Sequence, residues 1–461
     1  MQAILLIDFG STYTKVTAVD IDSESILGTA KAFTTVQTDI NEGLEKAINT
    51  LWAQTGRLEF VSRFACSSAA GGLKIIAIGL VPDLTAEAAK RAALSAGAKV
   101  LKVYSYELNT DEIQEIDRLK PDIILLTGGT DGGNKNVILH NAKSISDMQG
   151  SFSVVVAGNK SVAQQAAGMI KSSGKQVRIC ENVMPEFYVL NIEPARAVIR
   201  EIFLERIIQA KGLSKAQSLI EGILMPTPLA VLNAAYKLSV GSGCEKGIGD
   251  LMVIDVGGAT TDVHSIADGE PTRPGVIMKG LPEPFSKRTV EGDLGVRYSA
   301  SALTEAVSIK AVEEYSGLNT AAITSYIEEI TRLPEMLPDQ NEEAARIDYS
   351  FAALAAKHAV ERHAGKIETA YTPFGVTYLQ SGKDLTALNT VVGTGGPIVN
   401  SGNPAGILKQ TLFNDIDAAV LKPQKADLLL DKRYILAAMG LLSEHYPEIA
   451  VRIMKKELHE L

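Results

Sequence analysis

An internal repeat of one strand–turn–strand segment is the feature that most constrains how this chain can fold. One copy is residues 7–16, IDFGSTYTKV, and the other is residues 254–263, IDVGGATTDV. Each copy has an apolar strand that ends in Asp, then a Gly, a hydroxyl-rich tight turn and a second strand. The residues that recur at equal offsets are Asp8 with Asp255, Gly10 with Gly257, and Thr14 with Thr261. Two matching hairpins about half a chain apart predict two related lobes.

The residue types in these hairpins predict binding of phosphate. Gly permits positive φ and the close approach of a ligand. Successive backbone N–H groups of such a turn point into one concavity that suits phosphate oxygens, and Ser and Thr hydroxyls add donors. The Asp at the strand end can hold Mg²⁺ beside the phosphates, through water. One hairpin alone would fit an ordinary tight turn, whereas the pair predicts two lobes that close on one nucleotide.

A third glycine-rich segment, residues 391–398 with the sequence VVGTGGPI, reads as a strand, a glycine loop and an apolar continuation. A backbone without side chains can pack flat against adenine or ribose. Alone, the segment fits an ordinary strand-to-helix turn, but its place after two phosphate hairpins favours the nucleotide interpretation. The chain has no GxxxxGK[ST] loop and no GxGxxG after its first strand, which excludes a Walker A site and a dinucleotide site.

The amino-acid composition limits the classes of partner that this chain can bind. Among 461 residues, 45 Lys and Arg stand against 54 Asp and Glu, and the absence of a basic run argues against nucleic acid. The N-terminus lacks the features of a signal peptide and the apolar runs are too short to cross a bilayer, so we expect a cytoplasmic protein with no membrane contact. Cys66, Cys180 and Cys244 lie far apart, which predicts inert thiols in a reducing compartment.

The pattern of strands and helices divides the chain. Residues 1–70 with about 181–250 are predicted to form the first lobe, and residues 71–180 an inserted, doubly wound α/β unit of five strands and four crossover helices. Residues 251–430 are predicted to form the second lobe. Residues 431–461 are predicted to be a C-terminal helix, starting near Lys432, that packs back on the lobes.

The order of phosphate hairpin, second phosphate hairpin and adenosine loop resembles the superfamily of actin, sugar kinases and heat-shock chaperone ATPases. This resemblance implies an α/β, actin-like (sugar kinase/heat-shock ATPase) fold of two lobes with an α/β insertion in the first lobe. It also implies ATP and Mg²⁺ as cofactors.

Four further segments narrow the family: residues 126–134 (LTGGTDGGN), 181–186 (ENVMPE), 190–196 (LNIEPAR) and 290–295 (VEGDLG). With them the whole chain resembles the accessory proteins of methylaspartate (glutamate) mutase. Those proteins are similar to reactivating factors, which use ATP to release damaged cobalamin from an inactivated adenosylcobalamin-dependent enzyme. The resemblance therefore implies an ATPase whose partner is an adenosylcobalamin-dependent mutase, with the subunits of glutamate mutase favoured. The oligomeric state stays open, a homodimer included.

Roles for single residues follow from the resemblance. Asp8 and Asp255 would hold Mg²⁺. The phosphates of ATP would be held by Gly10, Ser11, Thr12, Thr14, Lys15, Gly257, Gly258, Ala259, Thr260 and Thr261. The adenosine side would be lined by Gly393, Thr394, Gly395 and Gly396. Glu291 and Asp293, on a glycine-rich loop after the second hairpin, are either the carboxylates that orient the attacking water or part of a solvated turn. Phosphoryl transfer needs little more than such positioning and charge stabilisation.

Three alternatives remain at this point. A small-molecule kinase fits the hairpins equally well but requires an acceptor pocket and a catalytic base. A reactivase of an aminomutase would have the same motifs, and a filament-forming scaffold of the actin kind is the least favoured. The glycine loop at residues 127–134 is either a contact for a partner or cobalamin, or a mobile turn before a helix with Asn134 as its cap, and the turn is favoured. The DxHxxG motif of cobalamin-binding domains is absent, so a histidine-ligated cobalamin is not predicted.

Overall fold

The computed structural model describes residues 2–10, 12–35, 40–68, 73–209, 223–338, 341–373 and 375–461. The chain divides into two compact units. The first unit comprises Met1–Ala234, Gly280–Pro282 and Ala437–Ala450, and the second comprises Ala235–Lys279, Glu283–Leu436 and Val451–Leu461. Within the described ranges, no helix is both long and apolar enough to span a membrane.

The first unit opens with three antiparallel strands, β1 (Ala3–Phe9), β2 (Tyr13–Asp20) and β3 (Ser25–Phe33). They form a meander. Helix α1 (Ile40–Thr55) packs against it through Leu44, Ala47 and Leu51, which recur at helical spacing on one face. Strand β4 (Phe60–Ser67) then pairs parallel to β1.

A parallel sheet follows, formed by β5 (Lys74–Gly79), β6 (Lys99–Ser105), β7 (Ile123–Leu126), β8 (Ser153–Val156) and β9 (Val177–Ile179). The crossovers are a π-helical turn (Pro82–Ala86) that continues as α2 (Glu87–Ser95), then α3 (Thr110–Leu119), α4 (Asn136–Asp147) and α5 (Ala163–Ser172). The strand order β6-β5-β7-β8-β9 is doubly wound, as predicted. Its central strands are apolar throughout because helices cover both faces.

The first unit continues with α6 (Glu193–Gln209), β10 (Ile223–Pro226) and the start of α7 (Thr227–Val240). Strand β10 pairs parallel to β4, which gives a second sheet of order β10-β4-β1-β2-β3. The doubly wound sheet therefore lies in the chain between the fourth and fifth strands of this sheet, as an insertion.

The second unit is built on a six-stranded sheet of β13 (Leu251–Val256), β14 (Thr261–Ile266), β16 (Ser286–Glu291), β19 (Thr390–Thr394), β20 (Asp427–Leu430) and β21 (His459–Glu460). Smaller sheets contain β11 (Gly241–Ser242) with β12 (Glu245–Lys246), and β15 (Val276–Lys279) with β17 (Lys366–Thr372) and β18 (Gly375–Ser381). Its helices are α8 (Ala300–Val307), α9 (Ile309–Ser316), α10 (Thr320–Arg332), α11 (Glu342–His363), α12 (Gly396–Val399) and α13 (Pro404–Lys409). The alanine-rich middle of α11 lies in the core of this unit.

The two units share one strand order. In each, three antiparallel strands are followed by two parallel ones, giving β3-β2-β1-β4-β10 in the first unit and β16-β14-β13-β19-β20 in the second. This repeated arrangement is the actin-like topology, so the predicted fold class is confirmed.

The C-terminal tail differs from its prediction. Instead of one helix from Lys432, it contains α14 (Leu436–Leu442) and α15 (Pro447–Glu457). Pro447 explains the break, because proline cannot donate the N–H that would continue the first helix but fits the first turn of the next.

Candidate functional site

The two repeated hairpins have the same backbone. The Gly10 N–H donates to the Tyr13 carbonyl at 3.1 Å, and the Gly257 N–H donates to the Thr260 carbonyl at 2.9 Å. A Cβ at either glycine would lie within 3 Å of the accepting carbonyl oxygen, at 2.6 Å and 2.9 Å respectively, so neither turn has room for a side chain. The sequence repeat is therefore a structural repeat.

Asp8 is nearly buried at the end of β1, and its two carboxylate oxygens have different surroundings. Oδ1 accepts hydrogen bonds from Thr227 Oγ1 at 2.6 Å and from Cys66 Sγ at 3.6 Å. Oδ2 lies 3.8 Å from Lys15 Nζ, whose side chain is one-third exposed. Burial, reinforced by the Asp8 charge, raises the pKa of the Cys66 thiol well above its usual range, so the thiol stays protonated and can donate. One oxygen is thus anchored inward, and the other faces a cation.

Asp255 ends the apolar run of β13, and the glycine loop reaches it within the same unit. Thr394 is directly opposite Asp255 in the parallel β13–β19 pair. Gly395 has φ +90°, and a Cβ there would lie 2.6 Å from Asp255 Oδ1 and closer still to the Val256 carbonyl oxygen. The predicted metal-holding carboxylate and the predicted adenosine loop are therefore in contact distance.

The other glycines of this loop have unlike surroundings. Gly393 is buried, and a Cβ there would meet Leu408 at 2.9 Å, so this glycine is required by core packing. Gly396 lies on the polar side, where its carbonyl accepts from Asn400 Nδ2 at 2.9 Å. Asn400 Nδ2 also donates to Tyr434 Oη at 3.1 Å. Asn400 and Tyr434 were not predicted, because nothing in the sequence connects them with the glycine loop.

The position across from each Asp carries opposite charge in the two hairpins. Asp8 pairs with Lys15 in the β1–β2 register, and Asp255 pairs with Asp262 in the β13–β14 register. Asp262 Oδ1 accepts from Arg288 Nη2 at 2.6 Å, and the Arg288 side chain is buried. The negative charge of Asp262 is therefore matched inside its own unit, and Lys15 is a cation that the second hairpin does not repeat.

The two threonines of β2 and β14 that were predicted to bind phosphate make hydrogen bonds within the protein through their hydroxyls. Thr14 and Thr261 are fully buried. Thr14 Oγ1 lies 3.1 Å from Thr34 Oγ1, which donates to the Gly10 carbonyl at 2.8 Å. Thr261 Oγ1 donates to the Leu294 carbonyl at 2.7 Å. Both hydroxyls hold the turns in shape. Thr12 is half-buried in the first turn, and Ser11 lies outside the described residues.

The glycine-rich loop after β16 clamps the second turn. Arg297 N–H and Tyr298 N–H both donate to the Gly258 carbonyl, at 2.8 Å and 2.9 Å, and Ser299 Oγ donates to the Ala259 carbonyl at 2.8 Å. Thr260 Oγ1 donates to Asp262 Oδ2 at 3.2 Å. These hydrogen bonds occupy the carbonyl oxygens of Gly258 and Ala259 in the turn.

Glu291 and Asp293, the predicted water-orienting carboxylates, share one cation. Arg362 Nη1 lies 2.8 Å from Glu291 Oε2 and 2.7 Å from Asp293 Oδ1, and Nη2 lies 2.9 Å from Asp293 Oδ2. The hydrogen bonds from Arg362 lower the pKa of Asp293 below its usual range. Both carboxyl groups contact Arg362, a residue of α11 that was not predicted.

Across the described ranges, no three His, Cys, Asp or Glu side chains gather into a metal-binding group.

Two comparisons with known sequences agree. The family model described as MutL protein matches residues 4–458. The chain is 55% identical over 460 residues to Protein MutL of Clostridium tetanomorphum, and the match covers 99% of both chains.

Solved structures are more distant. The activator of the 2-hydroxyisocaproyl-CoA dehydratase from Clostridium difficile with bound ADPNP is 11% identical, with 100% of this chain and 99% of that chain covered and a TM-score of 0.32. Gluconate kinase from Lactobacillus acidophilus is 10% identical, with 100% and 92% covered and a TM-score of 0.37. The strand order, and not these two structures, carries the assignment of the fold.

Proposed function

This chain belongs to the MutL protein family, and from that premise we propose that it is a cytoplasmic, Mg²⁺-dependent ATPase that reactivates an adenosylcobalamin-dependent mutase. The favoured partner is glutamate (methylaspartate) mutase, from which it would release damaged cobalamin. The observation that carries the ATPase proposal is the duplicated Asp–Gly hairpin, with equal register and equal turn hydrogen bonds in both units.

The proposed roles of the hairpin residues follow from their surroundings. Asp8 presents Oδ2 beside Lys15, so we assign Asp8 to Mg²⁺ and Lys15 to a phosphate oxygen. Asp255 is also assigned to Mg²⁺. Bound Mg²⁺ would offset the repulsion between these carboxylates and the triphosphate. The turn residues Gly10, Ser11, Thr12, Gly257, Gly258, Ala259 and Thr260 are assigned to the phosphates.

The residue that orients water is proposed to be Glu291 or Asp293. Both carboxyl groups are held by Arg362, and either could orient the attacking water. The variants Glu291→Gln and Asp293→Asn keep the size of each side chain and remove its charge. The variant that loses ATP hydrolysis but keeps ATP binding identifies the group.

The free energy that opens the partner enzyme would come from the binding and hydrolysis of ATP. Inverting a 1:99 equilibrium between two states of the partner takes about 5.5 kcal/mol of differential binding. One ATP hydrolysed in a cell supplies enough free energy for such a shift. Contacts made to the mutase in only one nucleotide state would convert hydrolysis into opening of the mutase.

The test measures loss of cobalamin from inactivated glutamate mutase that carries hydroxocobalamin, on addition of this protein with Mg-ATP. The wild type is compared with Asp8→Ala and Asp255→Ala, and with Asp111→Ala, which removes an exposed carboxylate of α3, as a matched control. We expect ATP-dependent release by the wild type and the control, and none by the other two. ATP hydrolysis without release would remove glutamate mutase as the partner. Phosphorylation of a small molecule would replace the proposal by a kinase.

A further inference from the structure

Two exposed tyrosines with left-handed backbones stand at the carboxyl edge of the doubly wound sheet in the first unit. Tyr106 directly follows β6, has φ +66° and is 60% exposed. Tyr188 lies in the loop after β9, has φ +65° and is 49% exposed. Because β6 and β9 are the outer strands, four strand spacings of the sheet, ~19 Å, lie between them.

These backbone conformations are fixed and costly. The Tyr106 N–H donates to the Leu80 carbonyl at 3.2 Å, and the Tyr106 carbonyl accepts from Asn141 Nδ2 at 2.9 Å. The Val189 N–H donates to the Glu186 carbonyl at 3.1 Å, which closes a turn with Phe187 and Tyr188 at its corners. Gly or Asn adopts positive φ at lower cost than Tyr. Since both rings are largely exposed, stability of the fold does not account for tyrosine at either position.

The glycine loop after β7, residues 127–134, lies between these tyrosines and is held firmly. Asn182 Nδ2 donates to the Gly129 carbonyl at 2.9 Å, and Asn159 Nδ2 donates to the Gly133 carbonyl at 3.1 Å. The Asp131 N–H donates to the Pro185 carbonyl at 2.9 Å, which ties this loop to the one that carries Tyr188. The predicted turn before a helix is present, with Asn134 Oδ1 accepting from the Val137 N–H at 3.2 Å, and these hydrogen bonds brace it. The buried asparagines bind the loop's own backbone and are engaged there.

The chemistry of this edge suits a protein surface. Phe187 is 64% exposed and meets Tyr188 edge to face, with ring centroids 5.0 Å apart. Exposed aromatic residues of this kind are the usual anchors of protein interfaces. The exposed carboxylates Glu181 and Glu186 belong to the same loop after β9 as the pair, while the exposed Lys160 lies 3.6 Å from Asp131. Acidic residues beside aromatic anchors favour a partner with apolar hollows and a basic border, and disfavour nucleic acid.

We infer that Tyr106, Phe187 and Tyr188, here named the aromatic rim, form the docking surface for the partner enzyme. The inference rests on the proposed function for the identity of that partner. The strands that lead into the two parts of the rim, β6 and β9, are four strand spacings apart, which a protein surface spans and a small molecule does not.

The test measures binding of this protein, with Mg-ATP, to immobilised glutamate mutase that carries hydroxocobalamin. The variants are Tyr106→Asn, Phe187→Ala and Tyr188→Asn, since Asn keeps the left-handed backbone. Tyr371→Ala, which removes an 84% exposed ring from β17 of the second unit, is the matched control. We expect each rim variant to weaken binding about tenfold, the control to bind like the wild type, and ATP hydrolysis without partner to be unchanged in all four.

A second readout separates docking from folding. The Tm of both Asn variants should equal or exceed that of the wild type, because the left-handed backbone costs Asn less than Tyr. Binding by all rim variants within twofold of the wild type would overturn the aromatic rim while leaving the proposed function intact. Failure of the wild type itself to bind the mutase would overturn both.

Discussion

Thr227 Oγ1 donates a 2.6 Å hydrogen bond to Asp8 Oδ1 although the two residues are 219 positions apart in the chain. Three elements, β1, β4 and α7, converge on this carboxylate through Asp8, Cys66 and Thr227. The bond fixes which oxygen faces inward and leaves Oδ2 beside Lys15. In the proposed ATPase, Thr227 is therefore a positioning residue for the metal-holding carboxylate.

Removing that hydroxyl should weaken catalysis more than folding. Thr227→Val keeps the shape but loses a charge-assisted bond worth about 1.5–3 kcal/mol, so we expect kcat for ATP to fall about tenfold or more and the Mg²⁺ requirement to rise. Thr227→Ser restores the hydroxyl and should restore both. The measurement is steady-state ATP hydrolysis across a Mg²⁺ titration. Equal kcat in the Val and Ser variants would show that the hydroxyl does not orient Asp8.

The close approach of Gly395 to Asp255 predicts intolerance of any side chain. Gly395→Ala would place a methyl group against Asp255 Oδ1 and the Val256 carbonyl at φ +90°. We expect a loss of about 2 kcal/mol or more in the free energy of unfolding and weaker ATP binding. Gly402→Ala is the control, since a Cβ there meets no atom within 4 Å. Chemical denaturation and nucleotide titration would detect the contrast, and equal stability of the two variants would refute it.

The residues across from Asp8 and Asp255 predict different effects of substitution: mainly loss of stability at Asp262 and mainly loss of ATP affinity at Lys15. Asp262→Ala leaves the buried Arg288 without its carboxylate and should cost about 3 kcal/mol of stability. Lys15→Ala removes a 3.8 Å pair from a partly exposed side chain and should cost less than about 1 kcal/mol, while ATP affinity falls. Urea denaturation of both variants measures the difference. A larger loss of stability for Lys15→Ala would contradict this account.

Buried Lys383 predicts a rise of stability with pH. Its Nζ donates to the Phe285 carbonyl at 2.7 Å and lies 3.3 Å from Ser265 Oγ. Burial, with a contribution from the Lys287 charge, lowers the pKa of Lys383 to about 7, against an opposing effect of Glu283, Asp250 and Asp268. Above about pH 7 the unfolded chain binds a proton at this lysine that the folded chain does not, so the free energy of unfolding rises until the ordinary lysine pKa is reached.

The variant Lys383→Met lacks this titration. From about pH 7 to about pH 9, we expect the stability of the wild type to rise by about 2 kcal/mol relative to the variant. Chemical denaturation at both pH values gives the difference, in which other titrating groups cancel. A wild-type-minus-variant difference that stays constant across this range would show that the Lys383 pKa is not lowered.

Much of the fold could be predicted from local sequence patterns. The hairpins around Gly10 and Gly257 were found because a tight turn places Asp, Gly and Thr at fixed offsets, and the strands of the inserted sheet were found because they are mostly apolar. The prediction of a single C-terminal helix was wrong, although Pro447 indicates where the helix breaks. Assignments of single residues to ligands stay predictions.

Contacts between distant segments could not be predicted. Neither Thr227 nor Cys66 could be linked with Asp8, since their hydrogen bonds to it span 219 and 58 residues. Asp431 was missed for the same reason: it accepts from Thr394 Oγ1 at 3.1 Å and from the Ile435 N–H at 2.8 Å, near the start of α14. Arg362 could not be linked with Glu291 and Asp293 before the fold brought α11 to them.

The opposite charges of Lys15 and Asp262 make the two hairpins non-interchangeable. Exchanging residues 7–16 with residues 254–263 would place an Asp at position 15, opposite Lys31 of β3, and would turn a lysine toward the buried Arg288. The second half of such a chimaera would bury Arg288 beside another cation and without its carboxylate. The two hairpins share one backbone arrangement, yet position 262 requires a carboxylate that position 15 does not. This pair of positions therefore sets an upper limit on the sequence similarity between the two hairpins.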